Sequence, residues 1–101
     1  LCLGPRRQEI VLLNCGGWLR MRSDIVPWDN LLRCAPARRS DEAWRLLLEA
    51  NRGLTGVGLH REDEVVFALV DVLLPATCRE AMDMAHRLAR VADGWQLRWG
   101  R

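Results

Sequence analysis

The sequence predicts an α+β domain in which helices pack on an antiparallel sheet. Two pairs of β-rich segments are each separated by a short turn, and two further segments carry the apolar spacing of amphipathic helices. The chain has 101 residues, half of them hydrophobic and 28% charged, as in one folded globular domain. We therefore expect a single domain over residues 1–101 with the order β-β-(β)-α-β-β-α. Because the first residue is leucine and not methionine, we also expect residues upstream.

The first pair of strands lies within residues 8–26. Two β-rich segments flank Gly16 and Gly17, and a glycine pair tolerates the positive φ angles of a two-residue turn. On the side that we expect to face the core, the paired residues are Asn14 and Leu19, Leu12 and Met21, and Ile10 and Ser23. The other side mixes aliphatic, aromatic and guanidinium groups, and it consists of Val11, Leu13, Cys15, Trp18, Arg20 and Arg22. Such a mixed face suits contact with a partner.

Residues 28–35 fit two different structures. Asp29 and Asn30 are common helix-capping residues, so the segment is compatible with a short helical turn. The same segment, which Pro36 ends, also fits a third strand of the sheet. We favour the strand.

The next segment predicts a helix that Ser40 caps and that stops at Gly53. Asp41 and Glu42 lie in its first turn, where the positive end of the helix dipole favours acidic side chains. Its apolar stripe, which should pack on the sheet, consists of Ala43, Trp44, Leu46, Leu47, Leu48 and Ala50.

Residues 57–60 and 64–74 predict a second hairpin that turns through residues 61–63. One face of its second strand consists of Val66, Ala68, Val70, Val72 and Leu74. The other face consists of Val65, Phe67, Leu69 and Leu73, interrupted only by Asp71. One helix layer covers one face of an antiparallel sheet, so the second apolar face requires another helix or another subunit. We expect a homodimer.

The last helix opens with Thr77 and Glu80 at the spacing of a capping box. Gly94 either ends this helix or bends it. The apolar stripe of the helix consists of Ala81, Met84, Ala85, Leu88, Ala92 and Trp95. Trp44 and Trp95 lie on helix stripes, so we expect them in the core. The other tryptophans lie near turns or chain ends, where an amphipathic ring suits an interface, and they are Trp18, Trp28 and Trp99.

Composition argues against several classes of function. The net charge of +2 comes without a concentrated basic stripe, which argues against nucleic-acid binding. No stretch reaches the roughly 18 apolar residues of a membrane span. The four cysteines form no C-x-x-C pair, and neither histidine lies at metal-ligand spacing. We therefore predict no metal and no cofactor, and we expect the cysteines to be buried, reduced thiols in the cytoplasm.

Catalytic motifs are also absent from the sequence. It contains neither a G-x-S-x-G elbow nor a phosphate-binding glycine loop. The strongest catalytic candidate is His60 with its neighbours Glu62 and Asp63, which we interpret as a solvated turn. We expect a non-enzymatic protein.

Residues 31–75 have the sequence LLRCAPARRSDEAWRLLLEANRGLTGVGLHREDEVVFALVDVLLP. This segment resembles the middle of class I type III secretion chaperones of the Tir-chaperone (CesT) family, in which a helix ends in a Leu-Leu-x-Ala-Asn signature and a hydrophobic strand ends near Leu-Pro. The matching positions are Leu47, Leu48, Ala50, Asn51, Leu74 and Pro75, followed by Ala92 and Trp95 near the end of the last helix. The YbjN-like family, which shares this fold, is similar through LRMRSDIVP, DEVVFALVDVLLP and RVAD.

The resemblance implies a type III secretion chaperone-like fold and a cytoplasmic, non-enzymatic homodimer that binds an extended segment of another protein, such as a secreted effector. It implies a dimer built by the 41–52 helix and the 65–73 strand, with the residues Trp44, Leu48, Val65, Phe67, Leu69 and Asp71. The partner would meet the mixed face at Val11, Leu13, Trp18, Arg20 and Arg22. Alternatives are a YbjN-like regulatory protein with another client, a small enzyme that uses His60, and a mixed face covered by a helix upstream of Leu1.

Overall fold

The structure is a computed structural model that describes residues 1–100. Within these residues it contains two antiparallel sheets and three α-helices, which confirms the predicted α+β class. The strands are β1 (Cys2–Leu3), β2 (Gln8–Glu9), β3 (Val11–Asn14), β4 (Trp18–Pro27), β5 (Gly58–Glu62) and β6 (Val65–Leu73). The helices are α1 (Trp28–Cys34), α2 (Ser40–Arg52) and α3 (Cys78–Trp99), with a 3-10 turn at Pro36–Arg38.

The main sheet has the strand order β3-β4-β6-β5, and every neighbouring pair is antiparallel. The long strands β4 and β6 therefore lie in the middle, and the short strands β3 and β5 form the edges. The first hairpin has the predicted register, in which Leu12 pairs with Met21. Its loop is the predicted glycine pair, and Gly16 has a φ of 86° that glycine adopts without strain.

The second hairpin turns later in the chain than predicted. Strand β5 continues through Glu62, which pairs with Val65, so the turn consists of Asp63 and Glu64 and not of residues 61–63. Asp63 has a φ of 53°, a conformation that aspartate tolerates better than most residues.

The segment that the sequence favoured as a third strand forms helix α1 instead. Trp28 and Leu31 are buried on one side of α1, and their i, i+3 spacing belongs to a helix and not to a strand, where side chains alternate. The buried side chain of Asn30 donates a hydrogen bond to the carbonyl oxygen of Trp99 at 3.1 Å, which ties α1 to the end of α3. Helix α1 stops before Pro36 because proline disfavours the helical conformation of the residue before it.

The starts of the two longer helices differ. Ser40 is the first residue of α2 and not its cap. Arg39 occupies the cap position without a side-chain hydrogen bond to the helix backbone, and its guanidinium binds the carboxylate of Asp41 at 3.0 Å. Helix α3 begins as predicted, because the hydroxyl of Thr77 accepts the backbone N–H of Glu80 at 3.1 Å.

The tryptophans are not distributed as predicted. Trp28 and Trp99 are buried, because α1 turns Trp28 inward and because α3 continues through Gly94 to Trp99. Trp44, which we expected in the core, is 40% exposed and lies against Trp28 with 5.1 Å between ring centroids. Trp95 is half-buried and packs on Trp99.

The hydrophobic core lies mainly between the main sheet and α3. Alanines on one side of α3 allow the helix to approach the sheet closely, and the buried apolar residues there are Ala85, Leu88, Ala89 and Ala92. The buried sheet residues that face them are Met21, Ser23, Val66, Ala68 and Val70. Burial of a large aliphatic side chain stabilises a protein by about 1.5–3 kcal/mol, so this covered face accounts for much of the stability of the fold.

Candidate functional site

One face of the main sheet carries α3, and within residues 1–100 no helix or strand covers the opposite face, which we call the open face. The strand register places side chains from all four strands on it, and they are Val11, Leu13, Trp18, Arg20, Arg22, Asp24, His60, Glu62, Val65, Phe67, Leu69, Asp71 and Leu73. Val11, Leu13 and Leu73 are 54%, 56% and 80% exposed. The open face therefore presents apolar side chains to water.

The structure brings together two groups of residues that the sequence analysis kept apart. All five residues predicted to contact a partner lie on the open face, and so do the four β6 residues predicted to build the dimer. Trp44 and Leu48 do not join them. Trp44 lies beside Trp28 and the guanidinium of Arg61, whose strand neighbour Val66 is buried under the helices. The six predicted dimer residues thus lie on opposite sides of the sheet and form no single surface.

A two-pronged ion pair crosses the middle of the open face. Arg20 on β4 donates through Nε and one terminal nitrogen to the two carboxylate oxygens of Asp71 on β6, at 2.9 and 3.0 Å. These hydrogen bonds hold the pKa of the Asp71 carboxyl below its ordinary value and raise the pKa of Arg20. The pair explains why an aspartate interrupts the apolar face of β6: it faces an arginine on the neighbouring strand.

A second arginine covers the aromatic ring of the open face. The guanidinium carbon of Arg22 lies 3.7 Å from the centre of the Phe67 ring, and the imidazole of His60 stacks on the same ring with 5.6 Å between centroids. Phe67 is consequently only 6% exposed although no helix covers it. Arg22 also binds the carboxylates of Asp24 at 3.0 Å and Glu62 at 3.3 Å.

Glycine at position 58 makes room for this arrangement. Gly58 lies beside Leu69 on the open face, and a Cβ atom there would lie 2.8 Å from Nε2 of His60. The absent side chain therefore lets the imidazole lie over the β5 backbone and against Phe67.

The side chains of the open face enclose an open groove of about 360 Å³. The residues that line it are Val11, Leu13, Arg20, Arg22, Glu62, Phe67 and Leu69. The apolar residues of the groove lie on β3 and β6, and the arginines lie between them on β4. The groove thus combines apolar contact area with N–H donors, the combination that binding sites for peptide segments use.

The β5 edge of the sheet is closed by an amide from α2. The side chain of Asn51 accepts the backbone N–H of Leu59 at 2.7 Å and donates to its carbonyl oxygen at 2.9 Å. These two hydrogen bonds occupy the outward backbone groups of Leu59, as a neighbouring strand would. A second chain cannot pair with β5 at this point.

Sequence reasoning missed the contributions of β5 to the site. His60 and Glu62 share the open face only because β5 extends through Glu62, whereas the prediction placed the turn there. A signal was present, since His60 and Glu62 alternate with the core residue Leu59 and with Arg61.

The prediction of buried cysteines is wrong, because Cys2, Cys34 and Cys78 are exposed and Cys15 is half-buried. Within residues 1–100 no group of three His, Cys, Asp or Glu side chains could hold a metal ion. In the same residues, no helix has the length and hydropathy needed to cross a membrane. The catalytic candidate His60 packs on Phe67, and Asp63 lies in the hairpin turn. Comparisons with protein-family models, with curated proteins and with solved structures find no match for the chain.

Proposed function

We propose that this protein is a small, non-enzymatic chaperone or adaptor that holds an extended segment of a partner protein on its open face. The observation that carries the proposal is the exposure of apolar side chains on one face of the sheet. Val11 and Leu13, which line the groove, are each more than half exposed. Contiguous exposed apolar groups that polar residues surround are typical of interaction surfaces.

The shape of the surface supports an extended ligand. Residues two apart on a strand point to the same face and repeat about every 6.8 Å, and the alternate side chains of an extended segment repeat at the same distance. A segment with apolar residues at alternate positions would therefore place them in line with Val11 and Leu13 on β3, or with Phe67 and Leu69 on β6.

The arginines of the open face can add hydrogen bonds to the contact with the same segment. A guanidinium has five N–H donors, and Arg20 and Arg22 each use two nitrogens in their ion pairs. The remaining donors are free to bind backbone carbonyls or acidic side chains of the segment. We therefore propose a segment that alternates apolar residues with polar or acidic ones.

Two proposals of this class differ in the client, which is the partner protein that the open face would hold. A protein that resembles the class I secretion chaperones would hold a secreted effector, whereas a YbjN-like regulator would hold a partner that stays in the cytoplasm. Both proposals use the open face.

The test is a selection from a library of random extended peptides, followed by measurement of affinity by titration calorimetry. The proposal predicts bound peptides with apolar residues at alternate positions. Leu69→Asp in the groove should weaken binding by at least about tenfold, because a charge would replace an apolar contact. The matched control is Leu48→Asp on α2, a similar exchange at an exposed leucine away from the groove, and it should leave the affinity unchanged.

Two results would contradict the proposal. One is a library from which no peptide binds the protein. The other is a set of peptides whose affinity falls with Leu48→Asp and not with Leu69→Asp, which would move the site to the helices.

A further inference from the structure

The open face contains a histidine, His60 on β5. Histidine is the side chain that ordinarily gains or loses a proton between pH 5 and pH 8, whereas aspartate, glutamate and arginine keep their charges in that range. The chain has two histidines, and the other, His86, is exposed on α3, on the opposite side of the sheet. A pH change in this range therefore acts on the open face through His60.

Contacts with two neighbouring residues hold the imidazole of His60 at a defined place. It stacks on the ring of Phe67 with 5.6 Å between centroids and 24° between the ring planes. Its Nε2 also lies 2.8 Å from the position that a Cβ atom of Gly58 would take. Because Gly58 pairs with Leu69, the imidazole extends along β5 toward the level of Leu69.

The charge of His60 also acts on Asp71, on the neighbouring strand β6. The side-chain hydrogen bonds from Arg20 are the main cause of the lowered pKa of the Asp71 carboxyl, and positive charge on His60 lowers it further. The imidazole therefore lies within electrostatic reach of the ion pair that crosses the open face.

Protonation of His60 changes the charge balance of the open face. Within residues 1–100, the other charged side chains that the main sheet places on this face are three carboxylates and two guanidinium groups, those of Asp24, Glu62, Asp71, Arg20 and Arg22. These groups give a formal charge of −1 while His60 is neutral and of zero once it is protonated.

A segment in the groove would pass beside this imidazole. The groove is lined by Glu62, which follows His60 by two residues on β5, and by Phe67, on which the imidazole stacks. A charged residue of the segment can therefore approach the imidazole closely. In water, a unit charge about 6 Å away changes an affinity about threefold.

We propose that protonation of His60 determines which charge the open face prefers in the segment that it holds. The imidazolium favours a segment with acidic residues, and the neutral imidazole removes that preference. This inference rests on the proposed function, and it adds the charge of the partner and a regulation by pH.

The first experiment compares two peptides at pH 8 and pH 5. Both are capped at their termini and derive from one peptide of the library selection, with its polar positions changed to aspartate in one and to lysine in the other. Between pH 8 and pH 5, the acidic peptide should bind about threefold more tightly and the basic peptide about threefold more weakly. The ratio of the two affinities, measured by titration calorimetry, should thus rise about tenfold.

Two variants assign this change to one histidine. His60→Gln has a polar side chain of similar size that gains no proton, so the ratio should be the same at both pH values. The matched control His86→Gln removes the histidine of α3 and should keep the tenfold change.

The outcomes separate this inference from the proposed function. A ratio that stays constant in the unchanged chain, or that changes equally in His60→Gln, overturns the inference alone, because the peptides still bind. Two peptides that bind at neither pH contradict the proposed function and, with it, this inference.

A second measurement requires no peptide. Phe67 is the only phenylalanine of the chain, so its ring signals are readily assigned in an NMR spectrum. In a pH titration of the chain alone, the Phe67 ring and the carboxyl carbon of Asp71 should shift at the pH at which the imidazole of His60 gains its proton. Gly58→Ala places a Cβ atom where it displaces the imidazole, so both shifts should decrease. Phe67 and Asp71 signals that do not follow His60 overturn the inference.

Discussion

Both sides of β6 carry apolar residues, but the two sides differ in their exposure to water. Val66 and Val70 are buried under α3, whereas Leu73, on the other side of the same strand, is 80% exposed. Apolar residues on both faces of a strand therefore do not show which face the rest of the chain covers. The covered face holds the fold together. The open face contributes less to stability, so its apolar residues are available for binding.

The largest expected effect lies on the covered face. Leu88→Ala should lower the free energy of unfolding by about 2–5 kcal/mol, because it removes a fully buried side chain between α3 and the sheet. The matched exchange Leu73→Ala on the open face should change it by less than about 0.5 kcal/mol. Urea denaturation measures both values. Similar losses in the two variants would mean that the open face is part of the core.

The closed β5 edge should show the next largest effect. Asn51→Ala leaves the outward N–H and C=O of Leu59 without their partner, and an unpaired buried polar group costs about 1–3 kcal/mol. The control Asn14→Ala removes one exposed hydrogen bond to the backbone of Gly16 and should cost less. Urea denaturation compares the two variants. A greater loss in Asn14→Ala would show that the Asn51 amide does not close this edge.

A smaller effect tests how the open face shields its aromatic ring. Arg22→Ala uncovers Phe67 and removes a cation–π contact worth about 0.5–1 kcal/mol at an exposed site. Arg22→Met keeps an unbranched apolar chain over the ring and should be more stable than Arg22→Ala. The melting temperatures of the two variants decide this. Equal melting temperatures would show that the arginine acts on the ring through its charge alone.

The smallest effect concerns pH. Hydrogen bonds from Arg20 hold the pKa of Asp71 below its ordinary value, so the folded chain binds a proton there less readily than the unfolded chain. The pair therefore stabilises the fold above the ordinary pKa of aspartate, and this stabilisation is lost as the pH falls through the lowered folded value. Asp71→Asn should show a smaller loss of stability between neutral and acidic pH than the unchanged chain.

The control for this prediction is Asp83→Asn on α3, because Asp83 forms no ion pair within residues 1–100. Its pH profile should match that of the unchanged chain. An Asp71→Asn profile that also matches would show that the ion pair does not contribute to stability.

Local chemistry was sufficient to predict much of this fold. The glycine pair determined the register of the first hairpin, and the register in turn placed Arg20 and Leu13 on one face. Thr77 correctly predicted the start of α3. Each of these features depends on residues close together in the chain, so a local sequence pattern is enough to predict it.

Features that depend on distant residues were predicted wrongly or not at all. Helix α1 is stabilised by burial of Trp28 and by the bond from Asn30 to Trp99, 69 residues away in the chain. Trp28 is buried where α1 contacts α2, and Trp44, which packs against it from α2, stays 40% exposed. The ion pair between Arg20 and Asp71 requires the pairing of β4 with β6, which no local pattern specifies.

The measurement that tests the central claim most directly is an NMR chemical-shift map of the chain with a selected peptide. We expect the largest shifts at the amides and methyl groups of the groove residues on β3, β4 and β6, with little change along α2 and α3. Shifts confined to the helices, or a Leu69→Asp variant that gives the same map at the same peptide concentration, would contradict the claim that the open face holds the segment.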